Sequence, residues 1–287
     1  MPLKDFHTFS RMLRFDNRES RPARCVTVKL ATIREVWEKW VDRLPYRYNP
    51  RPEVTVDEQL VLFKGRCPFR QYMSSKPTYG IKIWVACDAK SSYAWDMRVY
   101  TGKLPSGAPE KNQGIRVVVD LTVRLREHNI SCDNLQGLVV FSTEFPFTPT
   151  TTLVSYLPKK EQNMVLLSRL HKAAEISDHE DKKPAIIVDY NRTKGGLDNL
   201  DKVIGTYSCR RMTARWPLVI FHNILVVSSY NVFVIWQTIH PTWMAEKKNR
   251  RRIFLQQLGK ALVTPCIERW EHLTHTEASA ALVRAAH

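Results

Sequence analysis

Four aspartates stand at positions where carboxylates could perform metal-assisted chemistry. Asp57 interrupts the apolar run 54–62, where a charge must be solvated, paired or bound to a metal ion. Asp133 ends a short apolar segment, and Asp198 and Asp201 are three residues apart, which places both on one face if that segment is a helix. Brought together, such groups could hold two divalent cations, and hard oxygen ligands favour Mg²⁺ or Mn²⁺.

Each aspartate also has an ordinary structural interpretation, because an aspartate at a strand end or a helix start is commonly a cap or an ion-pair partner. The cysteines point to no competing site. Six are scattered singly through the chain, so neither a disulfide framework nor a zinc module is visible, and a reducing compartment is expected. The carboxylates therefore remain the candidates, with both interpretations open.

The segments around these aspartates follow a recognisable order. Short β-branched and aromatic runs predict strands at 54–62, 81–86 and 93–100. Apolar spacing of three and four predicts a helix over 112–128, and a short strand at 130–133 comes directly after it. Three antiparallel strands, a crossover helix and a fourth strand begin a ribonuclease H-like arrangement, which on pattern alone is one of several α/β possibilities.

The flanking regions are less regular. Residues 1–24 are basic and without periodicity, which indicates an extended lead-in, and residues 31–44 predict an amphipathic helix. The stretch 135–156 is ambiguous. Further expectations are short strands at 165–168 and 186–189, a charged loop at 175–183, and a mainly helical last third with a helix-like segment at 253–262.

The net charge of the chain indicates which class of partner to expect. The 287 residues carry 44 Lys and Arg against 28 Asp and Glu, and the resulting +16 favours a polyanion, nucleic acid ahead of an acidic membrane surface. The apolar segment 218–239 has the length of a membrane span, but His222, Asn223 and Asn231 interrupt it, which favours a buried core helix. Carbonate extraction distinguishes the two.

Two basic clusters are candidate nucleic-acid contacts. Arg210, Arg211, Arg215 and Trp216 combine guanidinium groups with an aromatic face, which suits phosphate contact and base stacking. The alternative is a solvated basic segment whose tryptophan belongs to the core. A second cluster fits a nuclear import signal or a DNA backbone contact, although charge runs are commonly only solvated surface; it comprises Lys247, Lys248, Arg250, Arg251 and Arg252.

Five segments of the chain closely resemble piggyBac-type transposases and the piggyBac transposable element-derived proteins. They are the run 54–103 beginning VTVDEQLVLFKGRCPFR, ISCDN at 130–134, TTLVSY at 151–156, YNRTKGGLDNLD at 190–201 and RRMTARWP at 210–217. The resemblance extends from about residue 15 to residue 263. Several matches exceed ten residues, which is far more specific than an isolated short motif.

The resemblance implies a DDE-type transposase domain, with a ribonuclease H-like mixed sheet flanked by helices, that cleaves and transfers DNA strands with two divalent metals. The catalytic and metal-binding aspartates carried over are Asp57, Asp133 and Asp198, with Asp201 as the accompanying metal ligand. This domain is expected over 31–240, between a basic lead-in at 1–30 and a basic helical segment at 241–287. The implied cofactor is Mg²⁺ or Mn²⁺, the implied partner is DNA, and the implied location is the nucleus.

The chain also departs from the family pattern. The stretch 135–150 is shorter than the family's insertion region, the loop at 75–82 lacks one residue, and no zinc module follows Cys266. These departures place catalysis, end recognition and a homodimer in question. The alternative function is a non-catalytic, sequence-independent DNA-binding protein derived from a transposase, with neither a membrane nor a small-molecule substrate expected for either.

Overall fold

The computed structural model describes residues 3–73, 77–102, 113–125, 128–132, 152–159, 162–168, 185–271 and 277. The strands are β1 (Glu53–Leu62), β2 (Gln71–Met73), β3 (Thr78–Asp88), β4 (Ala94–Val99), β5 (Asn129–Cys132), β6 (Thr152–Lys159) and β7 (Gln162–Ser168). The helices are α1 (Leu3–Met12), α2 (Arg21–Thr27), α3 (Arg34–Val41), α4 (Gln113–Thr122), α5 (Ala185–Thr193), α6 (Gly196–Thr206), α7 (Trp216–Ile239) and α8 (Arg250–Glu271). The chain divides inside α7 into two compact units, Met1–Asn231 and Val232–His287.

The strands of the first unit form one mixed sheet in the order β2-β3-β1-β5-β7-β6, with β4 paired to β3. β1 is antiparallel to β3 and parallel to β5, while β7 is antiparallel to both β5 and β6. α4 connects β4 to β5, as a parallel neighbour requires. Antiparallel strands, a crossover helix and a parallel strand confirm the predicted ribonuclease H-like α/β class.

Apolar patterning accounts for the centre of this sheet. Val54 and Val56 of β1 are buried on one face of the sheet, and Val61 is buried on the other face, which also carries Ile83 and Val85 of β3. Strand propensity and burial agree here, which explains why these strands are predictable from the sequence. Over α4, Val117, Val118 and Leu121 are buried, so the predicted helix at 112–128 is confirmed, although its helical part ends at Thr122.

The prediction of an extended segment over residues 1–24 is wrong, because α1 and α2 occupy much of it. One carbonyl of the last turn of α1 and one just beyond the helix are bound by a distant side chain. The Arg215 guanidinium donates to the carbonyls of Arg11 at 3.0 Å and Leu13 at 2.5 Å. Pro22 lies in the first turn of α2, where a missing N–H costs nothing. Tertiary contacts thus stabilise helices that the local pattern does not indicate.

Residues 186–189, predicted as a strand, belong to α5, so this prediction is also wrong. The end of α5 is held from the sheet: the Thr193 hydroxyl lies 2.9 Å from the Ser131 hydroxyl, and the Thr193 carbonyl accepts from Thr55 Oγ1 at 2.9 Å. These contacts override the β-branched composition. The strand expected at 165–168 is confirmed within β7, whereas 133–150 and 175–183 lie outside the described residues.

α7 is the one helix among the described residues that is long and apolar enough to cross a membrane by length and composition alone. Of its most apolar window, 67% is buried inside the protein. Within the first unit, Asn231 exchanges two hydrogen bonds with the backbone of Ala94, at 3.0 and 2.9 Å. This degree of burial is typical of a core helix.

The second unit contains the end of α7 and all of α8. An aromatic cluster joins them, with the ring of Phe254 centred 5.4 Å from that of Phe233, 5.9 Å from Trp236 and 6.3 Å from Trp243. Aromatic pairs at such separations contribute stability beyond their buried area. This cluster is the hydrophobic centre of the second unit.

The largely buried carboxyl of Asp96 in β4 should make the stability of the protein depend on pH. Burial raises the pKa of Asp96 to about 6, against the opposing effects of the Met97 N–H, Arg124 and Arg98, and the charge of Asp42 raises it further. The pKa of Asp96 is higher in the folded protein than in the unfolded chain. The protonated carboxyl therefore contributes stability that is fully present below about pH 4 and is lost as the pH rises through about 6. Between pH 4.5 and 8, urea unfolding should give Asp96→Asn a stability advantage over the parent that grows by about 2 kcal/mol. A pH-independent difference between the two proteins would contradict this.

Candidate functional site

Asp57 lies on the face of the sheet that α6 covers. In a strand, Thr55, Asp57 and Gln59 point to the same side. Thr55 on one side of Asp57 is tied to the carbonyl of Thr193, just before α6, and Gln59 on the other side donates to Asp201 Oδ1 of α6 at 2.8 Å. Asp57 is therefore half-buried between one contact that holds the end of α5 and another that holds α6 on the sheet.

The start of α6 approaches the sheet closely because of a glycine. A Cβ added to Gly196 would lie 3.1 Å from both the Ala89 Cα and the Thr55 Oγ1, which is tighter than ordinary van der Waals contact, so a side chain would require the neighbours to move by a few tenths of an ångström. Asp198 is exposed in the first turn of α6, on the same side of the helix as Asp201. Of the two glycines that precede these aspartates, Gly196 thus serves helix packing, whereas a side chain at Gly195 would meet open space.

A buried network of polar side chains extends from the contact between Gln59 and Asp201. Gln59 Oε1 accepts from Asn223 Nδ2 at 2.9 Å, and Asn223 Oδ1 accepts from Arg210 Nη2 at 2.7 Å. With the bond from Gln59 to Asp201, the network connects β1, α6 and α7. Sequence reasoning missed Gln59 and Asn223, although each is a polar residue inside an apolar segment, which was the available signal.

Negative charge accumulates on this face. Burial raises the pKa of the Cys87 thiol, and the charges of Asp88, Asp57 and Asp201 raise it further. The Arg210 guanidinium opposes this charge: burial lowers the pKa of Arg210, and the charge of Asp201 raises it. Asp57 and Asp201 thus lie near each other, and carboxylate oxygens are the ligands that a hard divalent cation prefers.

The third predicted carboxylate, Asp133, lies outside the described residues. Cys132, which precedes it in the chain, is paired in the parallel ladder with Val56, which precedes Asp57. Among the residues that the structure describes, no group of three or more His, Cys, Asp and Glu could hold a metal ion. The structure places Asp57 near Asp201 through Gln59, with Asp198 three residues earlier on α6, and the assignment of these residues as metal ligands stays a prediction.

The predicted DNA-contact residues of the segment 210–217 have internal contacts. Arg210 belongs to the buried network, Arg215 binds the end of α1, and Trp216 packs edge-on against Phe69 with ring centres 5.0 Å apart. Arg211 is exposed. Of this segment, Arg211 is the guanidinium most open to solvent, and the DNA role of the four residues stays a prediction.

The second basic cluster lies in the second unit, at and before the start of α8. Three of its members are exposed and two are half-buried: Lys247, Lys248 and Arg252 are exposed, and Arg250 and Arg251 are half-buried. Its role as a DNA contact or import signal stays a prediction as well.

Comparison with known proteins identifies the family. The model of the family described as Transposase IS4 matches residues 1–145 and 136–233, which is most of the chain. The chain belongs to this transposase family. A cryo-EM structure of a piggyBac transposase synaptic complex with hairpin DNA is similar with a TM-score of 0.76 and 28% identity, over 98% of this chain and 67% of that one. The predicted resemblance is confirmed: the chain is a piggyBac-type, transposase-derived protein.

Family membership gives the site a chemical context. DDE-type transposases generally use divalent metals, and this transposase-derived chain has carboxylates on the sheet face that α6 covers. The residues that hold this face in place, Gln59, Asn223 and Arg210, are not themselves carboxylates. They lie beside Asp57 and Asp201 and fix the helix that carries Asp198.

Proposed function

We propose that this transposase-derived chain is a DNA strand-cleavage and strand-transfer domain whose carboxylates Asp57, Asp133 and Asp198 hold two divalent cations, Mg²⁺ or Mn²⁺. The observation that carries the proposal is that the sheet face around Asp57 is bound on either side, by the end of α5 through Thr55 and by α6 through Gln59. Asp133 follows the strand paired with β1, which supports its inclusion.

Each residue has a distinct role in the proposal. Asp57, on the rigid β1, would hold an ion in a fixed position, and the exposed Asp198 would bring a second carboxylate from the first turn of α6. Asp201 would act mainly as a positioning residue, since it accepts from Gln59. Bound divalent cations supply activation of the attacking oxygen and stabilisation of the leaving oxygen in such reactions.

DNA is the proposed partner. The similar solved structure is a complex with hairpin DNA, and the +16 charge would give this chain an affinity for phosphates that falls steeply with salt. The exposed lysines at 247 and 248 and Arg252 would contribute backbone contact or nuclear import. We therefore propose a nuclear location, with a homodimer as the candidate assembly on DNA.

A nicking assay tests the proposal. Full-length protein is incubated with supercoiled DNA carrying matched transposon ends, with Mg²⁺, with Mn²⁺ and with EDTA. The parent should nick the DNA in either metal and not in EDTA, and Asp57→Asn should lose nicking because a carboxylate ligand is gone. Lys90→Ala, an exposed change in the turn between β3 and β4, is the control and should cleave as the parent does. Equal cleavage by Asp57→Asn and the parent would overturn the assignment.

The second candidate function is DNA binding without catalysis. The observation that favours it is the number of arginines gathered on the first unit near α1 and α2, at a distance in sequence from the carboxylates. This function requires binding that persists in EDTA and in Asp57→Asn, with no nicking by the parent in either metal. Loss of DNA binding in EDTA would exclude it.

A further inference from the structure

A cleft in the first unit lies between the N-terminal helices and the start of α7. Its volume is about 690 Å³, within the range of ligand-binding clefts. Five cationic side chains line it, together with two aromatic rings. The cations are Arg14, Arg18, Arg21, Lys29 and Arg215, and the rings are those of Phe15 and Trp216.

The positive charge of this cleft is only partly compensated. Asp16 pairs with Arg21 at 2.6 Å, and also with Arg24 at 2.9 Å, so one carboxylate serves two guanidinium groups. Burial lowers the pKa of Arg215, and the neighbouring charges of Arg14 and Arg21 lower it further. Cations crowded closely enough to disfavour one another gain stability when an anion binds among them.

Two of the cations are held in place by the backbone. Arg14 Nη1 donates to the carbonyls of Arg11 at 2.6 Å and Leu13 at 2.9 Å, and Arg215 donates to the same two carbonyls. Guanidinium groups fixed in this way are ordered before a ligand arrives, which reduces the entropic cost of binding. Two of the cationic groups that line the cleft are therefore ordered without a ligand.

The aromatic lining restricts the ligand further. Phe15 packs on Phe221 with ring centres 5.0 Å apart, and Trp216 packs edge-on against Phe69, so both rings are fixed and half-buried. Phosphate contacts beside fixed aromatic rings are typical of sites for unpaired nucleic acid, whose bases can leave the stack. A rigid duplex offers phosphates to such a cleft but keeps its bases paired.

We propose that this cleft binds an unpaired nucleic-acid strand, with phosphates between Arg18, Arg21 and Arg215 and a base against Trp216. The proposal rests on the proposed function only in taking nucleic acid as the partner. It requires neither a metal ion nor the carboxylates, because none of the candidate ligands lines the cleft. It can therefore be tested in EDTA, separately from cleavage.

Cys25 provides a reporter inside the cleft, because it is exposed and lines it. Full-length protein in EDTA is treated with iodoacetamide, and the alkylation rate of each cysteine is followed by peptide mass spectrometry. An oligothymidylate of about ten nucleotides at ten times its Kd should slow Cys25 alkylation about tenfold. Cys266, half-buried in α8, is the internal control and should react at an unchanged rate.

The competing ligands give outcomes that decide the proposal. A duplex of the same length should protect Cys25 much less than the single strand, and thymidine triphosphate should protect it weakly at equal phosphate concentration. Equal protection by the duplex would overturn the assignment to an unpaired strand. Equal protection by the triphosphate would show a nucleotide site instead, and no protection by any of them would show that the cleft is not a nucleic-acid site.

Arg18 allows a test by substitution, because it is exposed and its loss leaves the helix ends intact. Arg18→Ala should weaken oligothymidylate binding about fivefold in 0.1 M salt and reduce the slope of log K against log salt by about 0.7, as expected for one lost phosphate contact. Lys90→Ala removes the same charge elsewhere on the first unit and should bind as the parent does. Equal effects of the two substitutions would overturn the proposal, whereas an inactive nicking assay would not.

Discussion

Asn223→Leu is expected to lower the free energy of unfolding by about 3 kcal/mol, the largest effect of a single substitution in the first unit that we predict. Asn223 is fully buried, and its amide both accepts from Arg210 and donates to Gln59. Leucine leaves a half-buried guanidinium and a buried amide oxygen without these partners. Urea unfolding followed by circular dichroism measures the loss.

A double-mutant cycle separates this effect from simple repacking. Arg210→Met removes the charge that needs the acceptor, so Asn223→Leu should cost less in that background. We expect the double variant to be more stable than the sum of the single losses by about 1–2 kcal/mol. Strictly additive losses would show that Arg210 and Asn223 are not energetically connected.

Asp198→Asn and Asp201→Asn are expected to differ in opposite ways, one mainly in the stability gained from Mg²⁺ and the other mainly in the stability without metal. In EDTA, Asp198→Asn should unfold within about 0.5 kcal/mol of the parent, because the side chain is exposed, while Asp201→Asn should lose about 1 kcal/mol by weakening the contact with Gln59. At a Mg²⁺ concentration of about 100 Kd, the parent should gain about 2.7 kcal/mol. Asp198→Asn should lose most of that gain.

The same unfolding measurements, in EDTA and in Mg²⁺, contain the control for this prediction. Asp201→Asn should keep a larger part of the Mg²⁺-linked gain than Asp198→Asn, because Asp201 already accepts a hydrogen bond within the protein. If Asp198→Asn gains as much stability from Mg²⁺ as the parent, Asp198 is not a ligand. If Asp201→Asn alone loses the gain, the two roles are reversed.

The central sheet could be predicted because local and tertiary preferences agree there. β1 and β3 carry valine and isoleucine at buried positions, and α4 carries its apolar residues at helical spacing. The position of Asp57 within its strand followed from the same pattern, whereas a helix around Asp198 was only a condition for placing Asp198 and Asp201 on one face. Where propensity, periodicity and burial agree, a sequence indicates its structure correctly.

Other features depend on contacts between distant residues. The helix ending at Met12 is stabilised by Arg215, and α5 begins in β-branched residues yet is anchored by Thr193 on the sheet. The network of Gln59 and Asn223 joins residues 164 positions apart. No local pattern encodes such pairs, although an isolated polar residue in an apolar segment marks where one partner must lie.

Isothermal titration of Mn²⁺ into the full-length protein tests the metal-binding claim most directly. We expect saturable binding by the parent and loss of that binding in Asp57→Asn, with circular dichroism confirming that the variant is folded. A folded parent that binds no Mn²⁺, or a variant with the same binding heats as the parent, would contradict the claim.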